Sequence, residues 1–189
     1  MNSKSAKTNN CQEVYSGDIF RIVKESYKSL KGDIEEFEYA EVSDAVRVYP
    51  VSKGFELTLI SEMRYGIEKS ASKRILRTVS GRIEKNESAE QAALRESLEE
   101  IGLISGTPFI FHVSRPMLKV RHHLFHVLIL SAEYGATRKL DKFEDIDPIR
   151  VNISEVEKSI WSGEFEEDIV AFGLLKLLRY LKENTPNEI

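Results

Sequence analysis

Cysteine is almost missing from this 189-residue chain, with Cys11 the single example. One thiol closes no intramolecular disulfide, so a disulfide-stapled scaffold is excluded and a reducing cytoplasm is the simplest expected home. Long apolar runs are missing as well. No stretch approaches the roughly 18 residues that a membrane-spanning helix needs, and the first ten residues lack the apolar centre of a signal peptide, so no membrane association is expected. Positive charge is not in excess: 27 Lys and Arg stand against 31 Asp and Glu, for a net charge of −4. No basic face for nucleic acid is therefore expected, and a polyphosphate ligand would need cations gathered locally. Repeats and low-complexity linkers are absent. What remains, 41% hydrophobic and 31% charged, is the composition of one ordinary folded domain with at most a small appendage.

Patterning divides the chain. Residues 1–12 are polar and are expected to form a disordered tail. In 13–42, two strand-like segments at 17–25 and 34–40 are joined by a turn at Lys31-Gly32-Asp33. From 43 to 185 the pattern becomes a sheet with helices, with strands expected near 45–51, 55–63, 75–79, 109–113, 123–131 and 149–153. Ser154 is placed to cap a helix that reaches Trp161 and ends at Ser162-Gly163. A longer helix over 167–182 offers Ile169, Phe172, Leu175, Leu178 and Leu181 to the sheet, and Trp161 reads as a core residue.

The chemistry concentrates in 81–103. Ser88 and Gln91 form a capping box and Gly102 is the expected stop, so 89–101 should be a helix. Leu94, Leu98 and Ile101 make an apolar stripe, and Glu96, Glu99 and Glu100 cluster away from it within about 100° of arc. Glu96 and Glu100 repel at i, i+4, and all three carboxylates approach the helix C-terminus, where the macrodipole disfavours anions. A divalent cation would reverse both penalties. Clustered carboxylates with no Cys or His set suit Mg²⁺, with Mn²⁺ as the other candidate.

Gly81, Glu87, Arg95-Glu96, Glu99-Glu100 and Gly102-Leu103 stand at the spacing of the Nudix box, which the segment closely resembles. Ser97 departs from it at a position that is usually apolar. The resemblance implies an α+β fold: a Nudix-type α/β/α sandwich with a mixed sheet, here joined to a small N-terminal antiparallel strand pair. Over nearly the whole chain after residue 13 the likeness extends to the ADP-ribose pyrophosphatase branch. It is carried by the N-terminal strands, by Ile60-Ser61-Glu62-Met63-Arg64-Tyr65 and by Trp161-Ser162-Gly163-Glu164-Phe165. That branch implies Mg²⁺-assisted hydrolysis of ADP-ribose or an NDP-sugar to a nucleoside monophosphate and a sugar phosphate. The alternatives are a hydrolase of dinucleoside polyphosphates or other nucleotides, and a non-catalytic nucleotide sensor. Two segments depart from the branch, Arg77-Thr78-Val79-Ser80-Gly81 where Glu-Leu-Pro-Ala-Gly is usual, and Ser114-Arg115-Pro116-Met117 where Ser-Pro-Gly is usual. Both make the implied cleft more cationic and leave strict ADP-ribose specificity open.

Residue roles come with the resemblance. Glu96 and Glu100 are the implied metal ligands, with Glu99 as a third ligand or a base and the Ser80 carbonyl as a backbone ligand. Glu87 and Arg95 are implied to pair structurally. Glu144, in the acidic loop 141–147, is the candidate general base. Arg64 is the candidate diphosphate contact, with Arg115, Lys119 and Arg121 of the same kind. Phe37, alongside Phe20 and Tyr39, is a candidate stacking surface for a base. His122, His123 and His126 do not suit a transition metal, since His122 and His126 would stand about 13 Å apart along a strand. A homodimer through 13–42 is expected, because a two-stranded ribbon is marginal alone and Ile19, Val23, Ile34 and Phe37 need a surface to cover them.

Overall fold

A computed structural model describes residues 6–68, 71–115 and 119–184. In chain order the elements are β1 (Ala6–Ser16), β2 (Arg21–Lys28), β3 (Ile34–Glu41), β4 (Ala45–Val51), β5 (Glu56–Glu68), β6 (Ala71–Arg77) and β7 (Val79–Arg82). They continue as α1 (Ala89–Ile101), β8 (Leu103–Ser114), β9 (Val120–Arg121), β10 (Leu124–Tyr134), β11 (Ile146–Asn152), α2 (Ile153–Trp161) and α3 (Asp168–Asn184). Two compact units result, one of Met1–Asp44 with Arg115–His123, the other of Ala45–Ser114 with Leu124–Ile189.

The smaller unit is a four-stranded sheet in the order β1-β2-β3-β9, not a strand pair. Strand β1 begins at Ala6 and pairs antiparallel with β2, so 6–12 are extended rather than a disordered tail, while 1–5 lie outside the described residues. The sequence 6–12 is polar, and a strand whose partner supplies the hydrogen bonds needs no apolar run of its own. The fourth strand is borrowed from the excursion at Arg115–His123, which composition did not reveal.

The larger unit is a mixed seven-stranded sheet between helices. Strand β4 runs parallel to β10 and antiparallel to β7, and β10 pairs antiparallel with β8. Val46, Val48 and Tyr49 are buried, as are Val127, Leu128 and Ile129, because these central strands are covered on both faces. Alternation sorts them: Val48, Val127 and Ile129 pack with α1, while Tyr49 and Leu128 pack with α2 and α3. This is the expected α+β sandwich.

Three expectations about packing are corrected. Helix α1 buries Ala89, Ala92, Ala93, Ser97, Glu100 and Ile101, while Leu98 is 38% exposed. Small side chains let the helix axis approach the sheet closely, so the buried face centres on the alanines; of the expected stripe Ile101 lies in the core, Leu94 packs against it, and Leu98 turns outward. Helix α3 likewise buries Val170, Gly173, Leu174, Leu177 and Leu181, leaving Phe172 outward. Gly173 is required where it stands, because a Cβ there would fall 1.9 Å from the Tyr49 hydroxyl. Helix α2 is capped by Asn152 rather than Ser154, and its last residue, Trp161, is 73% exposed rather than core.

Candidate active site

Helix α1 starts on the Ser88 capping box, with Ser88 Oγ accepting from Gln91 N and Gln91 Oε1 accepting from Ser88 N. It stops at Gly102, whose φ of 69° is left-handed and which caps onto Ser97 and Leu98 carbonyls. No basic residue occupies the last turn. Instead the segment after β10 supplies donors: Lys139 N reaches Glu99 O at 3.0 Å, and Gly135 and Ala136 N–H groups reach Gly102 O. Arg138 adds a longer bond to the Glu100 carbonyl at 3.5 Å, so the C-terminal carbonyls are met largely by backbone donors of this segment.

The glutamates divide by their partners. Arg95 forks onto Glu87 at 2.9 and 3.0 Å and onto the Arg82 carbonyl at 2.9 Å, which ties loop to helix as the resemblance implied. Its remaining nitrogen reaches Glu96 Oε1 at 2.7 Å and Glu99 Oε2 at 3.3 Å. The Glu87 carboxyl is held below its usual range by Arg95. Glu96 moves the other way: burial raises it, with Arg95 opposing. The Glu96 carboxyl lies against Gly81, where a Cβ would come within 1.8 Å of it, so a side chain at 81 would displace this carboxylate from the strand. Ser80 precedes Gly81 on β7, half-buried and in register with Arg47 of β4.

Glu100 is the outlier. It is 5% exposed, its Oε2 has no hydrogen-bond partner, and burial foremost, then the charges of Glu96, Glu144 and Glu62, push its carboxyl up to about 9. Arg77 pulls in the opposite direction. Glu144 is half-buried in the 141–147 loop, where Oε2 accepts from Asp141 N at 2.9 Å, and its charge is felt at both Glu96 and Glu100. Glu96, Glu99, Glu100 and Glu144 therefore face one region of this unit. Arg64 pairs with Glu62 at 3.0 Å. Among the described residues no three acidic, His or Cys groups close on one point as a ready-made metal cage.

The other two substrate candidates belong to the smaller unit. Arg115 donates to His123 Nε2 at 3.1 and 3.3 Å and lines a cavity of about 780 Å³ with Tyr39, Asp44, Val120, Arg121 and His122. Phe37 meets Tyr27 edge-on at 5.8 Å and lines a second cavity of about 370 Å³. The Arg121 guanidinium sits 4.1 Å over the Tyr39 ring while bonding Glu25 and Glu41. His126 is fully buried between the Tyr49 hydroxyl at 2.8 Å and Ser114 Oγ at 3.0 Å, which places it in the core away from any metal role.

Sequence reasoning missed a buried charge chain. Arg77 bonds Glu62 and its Nε lies 3.0 Å from Glu167 Oε1, while Glu167 Oε2 takes Arg47 at 2.5 Å. Glu62 and Arg77 are each 9% exposed. A signal existed: Glu62 has the strand parity of Ile60, so a carboxylate occupies a core-facing position.

An acidic helix laid on a mixed sheet between helices, with Gly81 against one carboxylate and a second carboxylate buried bare, defines an α+β sandwich with a carboxylate site on one helix. The chain belongs to the Nudix family: a family model described as the NUDIX domain matches residues 42–169. It is a Nudix hydrolase. The ADP-ribose pyrophosphatase of Bacillus subtilis (strain 168) is 24% identical over 177 residues, covering 92% of this chain and 93% of that protein. A methanol dehydrogenase activator of Bacillus methanolicus is 26% identical over 189 residues, covering 93% and 95%. A crystal structure of an ADP compounds hydrolase superposes at a TM-score of 0.80 with 19% identity over the whole of both chains, which establishes the fold.

Proposed function

We propose that the protein hydrolyses the pyrophosphate bond of ADP-ribose or an NDP-sugar in the presence of Mg²⁺, releasing a nucleoside monophosphate and a sugar phosphate. One observation carries the reading: Glu100, buried, bare at Oε2 and pushed up to about 9 beside Glu96. Such a carboxylate is a liability in a stable fold unless a cation arrives to pair with it. Glu96 and Glu100 would hold the metal, with Glu99 and the Ser80 carbonyl beside them. Bound Mg²⁺ supplies charge neutralisation at the phosphates and a more acidic water. The chain's own residues do the rest. Arg95 keeps Glu96 and Glu99 in place, Glu144 would take a proton from water, and Arg64, which pairs with Glu62 through one nitrogen, would offer others to a phosphate oxygen. In the smaller unit, taken by itself, Arg115 offers a cation and Phe37 an aromatic surface to a ligand.

The dimer belongs to the same reading. Ile19 and Ile34 are exposed on the smaller unit together with Val14, Tyr15, Phe20 and Leu30, whereas Val23 is buried and Phe37 half-buried. We assign these exposed apolar side chains to contact with a second copy of the chain, and the cytoplasm as its compartment, in line with the exposed free thiol of Cys11. No helix of the described residues is long and apolar enough to cross a membrane. A second reading is favoured by the activator relative, namely that this hydrolase acts on another enzyme's turnover. A nucleotide screen with Mg²⁺ and product identification tests the first reading. Assays of a dehydrogenase with and without this protein test the second.

A further inference from the structure

The segment bearing Glu144 is pinned on two sides. Upstream, Lys139 N donates to Glu99 O of α1 at 3.0 Å. Downstream, Met63 N of β5 donates to Asp145 O at 2.9 Å, and β11 then enters its ladder with Ile146 opposite Glu62. Strand alternation sorts the side chains at this junction. Ile146, Glu62 and Ile75 are buried on one face, at 3%, 9% and 5% exposure. Asp145 and Asp147 turn to the other face, where two like charges two residues apart repel.

A single side chain resolves that repulsion. Arg74 of β6 stands opposite Met63 in register, so its guanidinium crosses β5 to reach β11. It donates to Asp145 Oδ1 at 3.1 and 2.9 Å and also to Asp147 Oδ2. Three strands are tied together at the point where the acidic loop ends. Glu144 is the residue just before the tie, half-buried in the loop that leads into β11 and within electrostatic reach of Glu96 and Glu100.

We propose that Arg74 is a positioning residue for hydrolysis: by clamping Asp145 and Asp147 to the outer face, it fixes Glu144 toward the carboxylates of α1. This rests on the reading of Glu144 as the base. The pair is half-exposed, so it adds little to global stability, and its purpose is local order. Lysine is a poor substitute because one ammonium cannot fork between two carboxylates.

The test is a double-mutant cycle on the full chain with ADP-ribose and Mg²⁺, reading kcat and KM separately. Arg74→Ala is expected to lower kcat by roughly tenfold or more with KM changed less than about threefold, a part of what a positioned base contributes. Asp147→Asn, which leaves Arg74 and Asp145 paired, is expected to give a smaller loss of the same kind, and raised salt should lower wild-type kcat toward the mutant value. In a Glu144→Gln background, Arg74→Ala should cost less than about twofold further, because the base it positions is already gone. An equal loss in both backgrounds overturns the latch and leaves the base assignment standing. Wild-type turnover by Glu144→Gln overturns the base assignment itself.

Discussion

Two glutamates of this chain are buried almost equally, Glu25 at 2% and Glu100 at 5% exposure, and they are treated in opposite ways. Glu25, in the smaller unit, receives Arg121 at 3.0 and 2.6 Å and the Tyr27 hydroxyl at 2.5 Å. Tyr27 is pushed up to about 12 by that bond, and Arg121 is raised as well. Glu100, in the larger unit, keeps an oxygen with no partner and three carboxylates for neighbours. A buried charge that serves only the fold is surrounded with donors, since leaving it bare costs several kcal/mol. A buried carboxyl left with an unpartnered oxygen, and holding its proton well above the usual carboxylate range, points to an absent partner.

Changing Glu100 challenges this contrast most forcefully. Glu100→Gln should cut turnover of ADP-ribose or an NDP-sugar by at least about a hundredfold, while chemical denaturation without metal shows stability unchanged or raised. Any loss of fold would move Glu100 into the same structural role as Glu25. The converse substitution, Arg121→Ala, strips Glu25 and should cost about 3 kcal/mol in urea unfolding, since it leaves a buried carboxylate short of its donors. A cost under about 0.5 kcal/mol would place Glu25 among solvated surface pairs.

Stability measured across pH separates the two glutamates by the sign of a slope. Folded Glu100 titrates near about 9 against an ordinary value of 4.5, so between those limits the folded state holds a proton that the unfolded chain has released. Stability without metal should therefore be greatest below that window and fall as pH rises through it. Glu100→Gln should remove this slope. A metal-free wild type whose stability rises across the window would contradict the burial of a bare carboxylate. The smallest effect is metal binding at moderate concentration: Mg²⁺ at ten times its dissociation constant should stabilise wild type by about 1.4 kcal/mol, and Glu100→Gln by less.

Much of the sandwich was legible in the sequence because its signals are local. Ser88, Gln91 and Gly102 fixed α1 to the residue, and the apolar run at 45–51 marked the central strand. Which face α1 buries was not legible, because Leu94 and Leu98 outweigh Ala92, Ala93 and Ser97 in any hydrophobic pattern. Only the approach of the sheet makes small side chains the better contact. The same limit hid Glu100, which spacing put with the outward glutamates and packing turned inward. The fourth strand of the smaller sheet and the Arg77-Glu62-Glu167-Arg47 chain depend on residues tens of positions apart, and periodicity carries no information about such pairs. Trp161 fails for a related reason: it ends a helix whose buried residues are Ile153 and Val156 on one side only.

The most direct measurement monitors the phosphorus nuclei of ADP-ribose by NMR with wild type and with Glu100→Gln, each with Mg²⁺ and each with excess EDTA. If Glu100 pairs with a divalent cation, diphosphate signals are replaced by two monophosphate signals in wild type with Mg²⁺ alone, and persist in the other three samples. Equal conversion by Glu100→Gln, or undiminished conversion in EDTA, would contradict the assignment of the bare carboxylate to a divalent cation.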